Sequence, residues 1–287
     1  MEFVSSQAEQ RYADLVSTAS RTVVCLDFDG VLSPIVEDPS EAYIHPRAGE
    51  VLLGLAAQVQ TIAVVTGRPA RQAVALGRLD EIGARVAELG KDFHVLGQYG
   101  NERWSAATRQ VVSPRPPKGL ANLTSELPGL LRREGLGEAH LEQKSLAIAV
   151  HTRRLQDPVG ALERLQPVLE EAAARHGLVL EPGRMVVEIR APGTHKGIAV
   201  RTLQKEQRAD AMMFVGDDLG DIEAFRALAS LRQGGMVGLL VCSASEEQPA
   251  LREMADIVVD GPDGVMDLLA RITSDAATTA ASTQAAD

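Results

Sequence analysis

Short runs of continuously apolar residues alternate along the chain with segments whose apolar residues recur at helical spacing. The runs of strand length are TVVCLDFDG, TIAVVTGR, FHVLGQYG, AMMFVGDD and MVGLLVCS, which begin at residues 22, 61, 93, 211 and 236. Helical patterns lie between them, including one near 48–58. Continuously apolar strands separated by helices are typical of a parallel sheet that is buried on both faces. The pattern therefore predicts an α/β protein with a Rossmann-like core.

The pattern changes in the middle of the chain. After the proline-rich segment VVSPRPPKGL, which we interpret as a linker, two helical patterns alternate with the β patterns SLAIAVHTR and GRMVVEIRAP. Because apolar residues in these β patterns recur at every second position, they predict a small α+β insert with an open sheet. We therefore expect a core at 1–116 and 191–275, an inserted cap at 117–190, and a disordered low-complexity tail at 276–287.

Composition and charge narrow the range of functions. Hydrophobic residues make up 45% of the 287 residues, and the formal net charge is −10 with a pI near 5.2. This balance argues against nucleic-acid binding, which requires clustered Lys and Arg. No apolar stretch approaches the roughly 20 residues that span a bilayer, and the first residues lack a secretory pattern. We expect a cytoplasmic protein with no membrane partner, in which Cys25 and Cys242 are buried, reduced thiols.

Chemically distinctive residues lie where predicted strands end or a helix starts. Four motifs share this placement: DFDG at 27–30, TGR at 66–68, Lys196, and GDDLGD at 216–221. Carboxyl ends of parallel strands meet at one edge of the sheet, where ligands bind. Carboxylates that converge there repel each other unless a hard cation lies among them, and Mg²⁺ suits oxygen ligands. We therefore expect a Mg²⁺ site.

Each motif by itself also fits a simpler interpretation. An Asp-x-Asp after a strand is also typical of a calcium or turn motif, and Thr-Gly-Arg of an ordinary turn. A lone lysine is usually a solvated surface charge, and Asp217–Asp221 could cap the following helix. The occurrence of all four motifs in this order favours catalysis over chance.

Together these motifs resemble those of the haloacid dehalogenase superfamily. The resemblance implies that Asp27 is a nucleophile that forms an aspartyl-phosphate, and that Asp29 protonates the leaving oxygen and then activates water. It also implies that Thr66 hydrogen-bonds the phosphoryl oxygens and that Lys196 neutralises their charge. The implied metal-binding residues are Asp27, Asp29 (through its backbone carbonyl), Asp217, Asp218 and Asp221, and the sequence leaves open which of the last two contacts the metal.

A narrower resemblance covers the chain from about Val23 to Leu269. The segments LDFDGVLSPIVEDPSEA, VVTGRP, LGQYGNERW, LEQKSLAIAVHTRR and EPGRMVVEIRAPGTHKG are similar to those of trehalose-6-phosphate phosphatases. This implies a small-molecule sugar phosphate as the partner, with a cap that recognises glucose hydroxyls. The expected substrate-binding residues are Arg68, Gln98, Asn101, Glu142, Lys144, Arg153 and Glu188.

Several alternatives remain. Glu142, Lys144 and Glu188 also fit a solvated β face, the segment around Asn101 also fits a turn, and Arg153 could pair with an acid. Ser145-Leu146 departs from the glycine and small polar residue usual in the family. A related disaccharide or pseudo-disaccharide phosphate, such as an aminocyclitol analogue made in antibiotic biosynthesis, is therefore a second candidate substrate. Another sugar phosphate, a phosphomutase and a silent sensor are further alternatives, and we expect a monomer.

Overall fold

The computed structural model describes residues 1–183, 185–244 and 249–284 of the chain. Its strands are β1 (Glu2–Phe3), β2 (Thr22–Leu26), β3 (Thr61–Val65), β4 (Asp92–Gly97), β5 (Glu102–Ser105), β6 (Val111–Val112), β7 (His140–Gln143), β8 (Ala147–His151), β9 (Val179–Gly183), β10 (Val186–Arg190), β11 (Ala211–Gly216), β12 (Val237–Ala244) and β13 (Ile257–Asp260). Its α-helices are α1 (Ser6–Ser17), α2 (Ala48–Gln58), α3 (Ala70–Gly77), α4 (Leu79–Glu88), α5 (Leu120–Arg133), α6 (Pro158–Arg175), α7 (Lys196–Gln207), α8 (Ile222–Gln233), α9 (Pro249–Met254) and α10 (Gly261–Gln284).

The chain forms two compact units. The first combines Met1–Ser113 with His195–Asp287, and the second is Pro114–Thr194. The second unit contains the whole segment for which the sequence predicts an insert, 117–190.

A central sheet organises the first unit. In the part of the chain that the structure describes, its strand order is β1-β13-β12-β11-β2-β3-β4-β5-β6. The six strands from β13 to β4 are parallel, whereas β1, β5 and β6 pair antiparallel at the two edges. The predicted α/β core with parallel strands is therefore confirmed. Because β11, β2 and β3 are neighbours, the residues that follow them meet at one edge.

Alternate residues of each central strand point to opposite faces, and both faces are covered. Val24 and Leu26 of β2 pack into a core cluster that includes residues of α1, α2, α4 and α10. Val23 and Cys25 pack into a second cluster with residues of α7 and α8. Burial on both faces explains why these strands have no polar alternation.

The chain beyond residue 275 does not follow the prediction. Residues 276–284 belong to α10 and are helical, so the predicted disordered tail is wrong over this segment, and 285–287 lie outside the described residues. Ile272 and Ala276 are buried in the same cluster as α1 and α2, and Tyr12 Oη donates to Asp275 Oδ2 at 2.7 Å. Its low-complexity composition suggested disorder, but alanine is the best helix former and one face of the helix is anchored by packing.

The second unit is an open-faced α+β layer. Among the residues described, its sheet order is β7-β8-β10-β9, and all neighbouring pairs are antiparallel. Ile148, Val150, Val187 and Ile189 pack with the apolar residues of α5 and α6. The intervening residues of β8 and β10 therefore lie on the opposite face of the sheet, as the period-two pattern predicts.

Both cysteines are free and buried, as the sequence predicts. Burial raises the pKa of the Cys25 thiol to about 12, which makes it unreactive. Within the described ranges, no helix has both the length and the apolarity that a membrane crossing needs.

Candidate active site

The carboxylate of Asp27 lies directly after β2 and is held by two neighbours. The backbone N–H of Asp27 donates to the Val215 carbonyl on β11 at 2.9 Å, which extends the parallel pairing of β2 with β11 by one residue. Asp27 Oδ1 accepts from the Phe28 N–H at 2.7 Å, and Oδ2 lies 2.6 Å from Lys196 Nζ. Asp27 is only 4% exposed. The carboxylate is therefore fixed in position by backbone pairing and an ion pair.

Gly30 allows the first acidic loop to approach the second. Gly30 has a φ of +68°, and a Cβ at this position would overlap the Asp217 carboxylate. Its carbonyl accepts a hydrogen bond of 2.6 Å from Ser243 Oγ on β12, and its N–H donates to the Ser33 carbonyl at 2.8 Å. Glycine is needed here both for the left-handed backbone and for the close approach of Asp217.

Lys196 connects the acidic residues from two loops. It is the first residue of α7 and is 3% exposed, and its Nζ lies 2.6 Å from Asp27 Oδ2 and 2.7 Å from Asp221 Oδ1. Burial favours the neutral amine, but Asp221 and Asp27 outweigh it and raise the pKa of Lys196 well above its ordinary value. A buried lysine without partners would cost several kcal/mol, so these pairs stabilise its position.

The acidic side chains form one compact group. Asp27, Asp217, Asp218 and Asp221 each offer a carboxylate oxygen, and these oxygens lie within 4.8 Å of one another. Burial raises the pKa of Asp27 well above its usual range, and the repulsion of Asp221, Asp217 and Asp218 adds to the shift against the attraction of Lys196. Burial, followed by repulsion from Asp221 and Asp218, raises the pKa of Asp217 to about 8. One lysine does not offset four carboxylates, and this excess of hard oxygen donors fits a divalent cation such as Mg²⁺.

Asp218 and Asp221 have different surroundings. Asp221 is fully buried; its Oδ1 accepts from Lys196 Nζ at 2.7 Å, and its Oδ2 accepts from the N–H groups of Asp217 at 3.0 Å and Asp218 at 3.4 Å. Asp218 is exposed, and its Oδ1 accepts from the Gly220 N–H at 2.9 Å. The two residues form a capping box, so the helix-capping interpretation of this motif is also correct.

The loop after β3 is held by an unusual turn. Thr66 is buried, and its Oγ1 accepts from the Arg68 N–H at 3.1 Å. Gln98 and Tyr99 follow β4 with φ values of +48° and +60°, and their N–H groups donate to the carbonyls of Arg68 and Thr66, each at 2.9 Å. Two consecutive non-glycine residues in the left-handed region persist only where surrounding contacts enforce them. The turn therefore fixes the loop that carries Thr66.

Two of the residues expected to bind substrate make other side-chain contacts. Arg68 forms a two-pronged ion pair with Asp29, in which Nε–Oδ2 and Nη2–Oδ1 are both 2.7 Å. Asn101 Nδ2 donates to the Gln98 carbonyl at 2.9 Å, which supports the alternative that Asn101 closes a turn. Gln98 itself is 2% exposed, and among the described residues its buried Nε2 has no hydrogen-bond partner. Substrate binding by these residues stays a prediction.

Charged residues line one face of the sheet in the second unit. Glu142, Ala149 and Glu188 are aligned across β7, β8 and β10, so their side chains share a face. Lys144 Nζ pairs with Glu188 Oε2, and Glu142 Oε2 lies 2.9 Å from His151 Nε2. In the part of the chain that the structure describes, Glu188 Oε1 is buried without a hydrogen bond and lies 3.9 Å from Arg190 Nη1. Arg153 is exposed and follows β8.

Ser243, which holds the Gly30 carbonyl, is a supporting residue that no local sequence pattern identifies. Glu102 lies in the segment LGQYGNERW, in which the family resemblance implies a contact with substrate or with the cap. Glu102 is buried on β5, and its Oε2 accepts from the Ala70 N–H at 2.7 Å, at the start of α3.

The fold and the site define a class of protein. A haloacid dehalogenase-like hydrolase from Bacteroides thetaiotaomicron has the same fold, with a TM-score of 0.56, 15% identity, and coverage of 88% of this chain and 99% of that chain. The C-terminal domain of a Candida albicans trehalose-6-phosphate phosphatase is similar with a TM-score of 0.74 and 18% identity, covering 95% of this chain and 98% of that domain. The chain therefore has the fold of these structures.

Sequence comparison identifies the family. The trehalose-phosphatase family model matches residues 25–116 and 132–257, and the chain belongs to this family. An uncharacterized glycosyl hydrolase of Mycobacterium tuberculosis is 32% identical over 231 residues, covering 77% of this chain and 16% of that protein. Trehalose-phosphate phosphatase B of Arabidopsis thaliana is 27% identical over 267 residues, covering 85% and 66%. The chain thus spans less than two thirds of the length of both relatives.

Proposed function

We propose that this protein is a Mg²⁺-dependent phosphatase that hydrolyses trehalose 6-phosphate through an aspartyl-phosphate on Asp27. The observation that carries the proposal is the contact of Lys196 Nζ with Asp27 Oδ2 inside the group of four carboxylates. A buried carboxylate nucleophile beside one lysine and several other acids repels a phosphate dianion. It can react with the phosphate only when a divalent cation is also present. Family membership and the core fold support the same activity.

The residues of this chain have distinct roles in the proposed reaction. A carboxylate oxygen of Asp27 bonds to phosphorus as the bond to the sugar oxygen breaks, and Asp29 supplies the proton that the departing oxygen takes. Water then attacks phosphorus and gives a proton to Asp29, and the electron pair of the broken P–O bond returns to Asp27. Lys196 and the Thr66 hydroxyl stabilise the charge on the phosphoryl oxygens.

We assign the metal-binding residues within the group of four carboxylates. Asp27 and Asp217 would hold Mg²⁺ with the backbone carbonyl of Asp29, and Asp218 would add an exposed carboxylate. Asp221 is fully buried, and its oxygens accept from Lys196 Nζ and from the Asp217 N–H, so we assign it a positioning role. When bound, Mg²⁺ screens the repulsion between the phosphate dianion and Asp27.

The charged face of the second unit supports a sugar as the leaving group. Within the described ranges, Glu188 Oε1 is buried and lacks a hydrogen-bond donor, which a sugar hydroxyl would supply. Lys144 and Glu142 lie on the same unit and add directional donors and acceptors. A related disaccharide or pseudo-disaccharide phosphate is the second candidate, because Leu146 is a buried bulky residue close to Lys144.

The test is phosphate release by the purified protein across a substrate panel, with Mg²⁺ and after chelation. The panel contains trehalose 6-phosphate, sucrose 6-phosphate, mannosylglycerate phosphate and p-nitrophenyl phosphate. We expect Mg²⁺-dependent release that is fastest with trehalose 6-phosphate. Preference for another sugar would change the substrate only, and transfer of phosphate between sugar positions without release would indicate a phosphomutase. Inactivity on every phosphate would contradict the enzymatic proposal.

A further inference from the structure

Arg68 is placed to control Asp29. Its Nε and Nη2 donate to the two carboxylate oxygens of Asp29, and its Nη1 donates to the Pro39 carbonyl, all at 2.7 Å. The guanidinium carbon lies 5.7 Å from the centre of the Phe28 ring. One side chain thus links the loop after β3, the loop after β2 and the segment near Pro39.

The contact differs from an ordinary surface ion pair. The side chain of Arg68 is 11% exposed and that of Asp29 is 38% exposed, so the pair is partly shielded from solvent. Two parallel N–H···O contacts fix the plane of the carboxylate as well as its position, which a single contact does not. The backbone of Arg68 is fixed in turn by Thr66 Oγ1 and by the Gln98 N–H. The orientation of Asp29 is therefore set by a rigid chain of contacts.

We propose that Arg68 is a positioning residue that acts through Asp29, and not a phosphate-binding residue; this rests on the proposed function. By holding the plane of the carboxyl group, Arg68 directs one oxygen of Asp29 toward the sugar oxygen that leaves phosphorus. The proton passes from Asp29 to that oxygen while Asp27 bonds to phosphorus. In the second step the same oxygen of Asp29 takes a proton from the attacking water. Proton transfer is effective only when donor and acceptor are aligned.

Lysine cannot replace arginine in this role. Its ammonium is a point charge that contacts a carboxylate without fixing its plane, whereas the guanidinium fork does both. Arg68→Lys therefore keeps the charge and removes the orientation. Arg71→Lys is a matched control, because Arg71 is an exposed arginine three residues further along, on α3.

The first experiment compares leaving groups. The quantity is kcat/KM, which reports the steps up to the aspartyl-phosphate, for the sugar phosphate that the wild type hydrolyses fastest and for p-nitrophenyl phosphate. A sugar alkoxide needs the proton of Asp29, whereas p-nitrophenolate leaves without one. For Arg68→Lys we expect a loss of about 10- to 100-fold with the sugar phosphate and less than about threefold with the aryl phosphate. Arg71→Lys should change neither.

A double-mutant cycle provides the second experiment. If Arg68 acts through Asp29, then Asp29→Asn combined with Arg68→Lys should lose no more activity on the sugar phosphate than Asp29→Asn alone. Thermal unfolding of each variant, with Arg68→Ala as a further variant, checks that the folds are retained.

Two results would overturn the role of Arg68. Equal losses of kcat/KM on both substrates, with weaker inhibition by inorganic phosphate, would show that Arg68 binds the phosphoryl group. Additive losses in the cycle would show that it acts independently of Asp29. Inactivity of the wild type on every phosphate is a separate outcome, because it would refute the phosphatase function itself.

Discussion

The two compact units hold their charged residues in different ways. In the first unit, backbone pairing and glycine positions bring the acidic residues together: Asp27 extends the pairing with β11, and Gly30 leaves room for Asp217. In the second unit, charged residues on one face of an antiparallel sheet are held by side-chain pairs: Lys144 contacts Glu188, and Glu142 contacts His151.

In the proposed function, the first unit performs the chemistry and the second unit recognises the sugar. A residue fixed by the backbone cannot move without rearranging the loop, whereas side-chain pairs on a sheet face can be exchanged without altering the strands. Changes that displace Asp27 or the acidic loops beside it should therefore affect every phosphate ester, and changes on the sheet face of the second unit should affect only sugar substrates. Four predictions test this contrast, from the largest effect to the smallest.

Replacing the nucleophile tests the first unit most directly. Asp27→Asn should lower kcat by more than about 10³-fold on both sugar and aryl phosphates, because the amide cannot form the covalent intermediate. Steady-state phosphate release measures the loss, and circular dichroism checks the fold. Asp210→Asn is the control, since its side chain is 58% exposed and pairs only peripherally with Arg21. Near-wild-type activity of Asp27→Asn would exclude the covalent role.

Gly30 and Gly90, two of the glycines with positive φ, distinguish backbone strain from steric overlap. Gly30 and Gly90 have φ values of +68° and +70°, but only at Gly30 would a Cβ meet another group, the Asp217 carboxylate. Both alanine variants should lose about 1–2 kcal/mol of unfolding free energy from the backbone conformation. Gly30→Ala alone should also lower kcat by about 100-fold, because the two acidic loops are pushed apart. Equal kinetic behaviour of both variants would argue against this packing role.

Removing Glu188 tests the second unit. Glu188→Ala should lower kcat/KM for the preferred sugar phosphate by about tenfold or more and leave p-nitrophenyl phosphate unaffected, because only the sugar needs the sheet face. Glu171→Ala is the control, since Glu171 is 78% exposed on α6. A comparable loss on both substrates would contradict a role in sugar recognition.

The smallest expected effect is on how the stability of the folded state depends on pH. The pKa of Asp217 is raised from 3.8 to about 8, so the folded state holds its proton more tightly than the unfolded state. The resulting stability is full below about pH 4 and is lost as pH rises through about 8. Metal-free protein should therefore have a lower Tm at pH 8.5 than at pH 6, by at least about 3 °C.

The effect of Mg²⁺ on Tm gives a second test of the same carboxylates. Because binding requires ionised carboxylates, the rise in Tm on adding Mg²⁺ should be larger at pH 8.5 than at pH 6. Calorimetry with and without chelator measures it, and Asp217→Asn should weaken the dependence. An identical Mg²⁺ effect at both pH values would oppose a metal site formed by these acids.

Many helices and strands of the core could be predicted from the local pattern of apolar residues. The strand TVVCL could be recognised because a strand that is buried on both faces is continuously apolar. The helix Ala48–Gln58 could be recognised because a helix that is buried on one face has apolar residues at helical spacing. The helical state of 276–284 was not recognised, because this segment continues α10, whose earlier residues pack against α1 and α2, and no local window contains that packing. The short strands β7 and β9 were missed for a similar reason, since their pairing with β8 and β10 is what defines them.

The sequence by itself determined the parallel core and the order of the acidic motifs, since apolar periodicity and the residues at strand ends are local properties of the chain. Only the tertiary structure decided that Arg68 faces Asp29, that Ser243 holds the Gly30 carbonyl, and that Asp221 has both carboxylate oxygens occupied. These contacts join residues up to 213 positions apart in the chain. Their geometry depends on how neighbouring strands place their ends, and a sequence pattern does not record that placement.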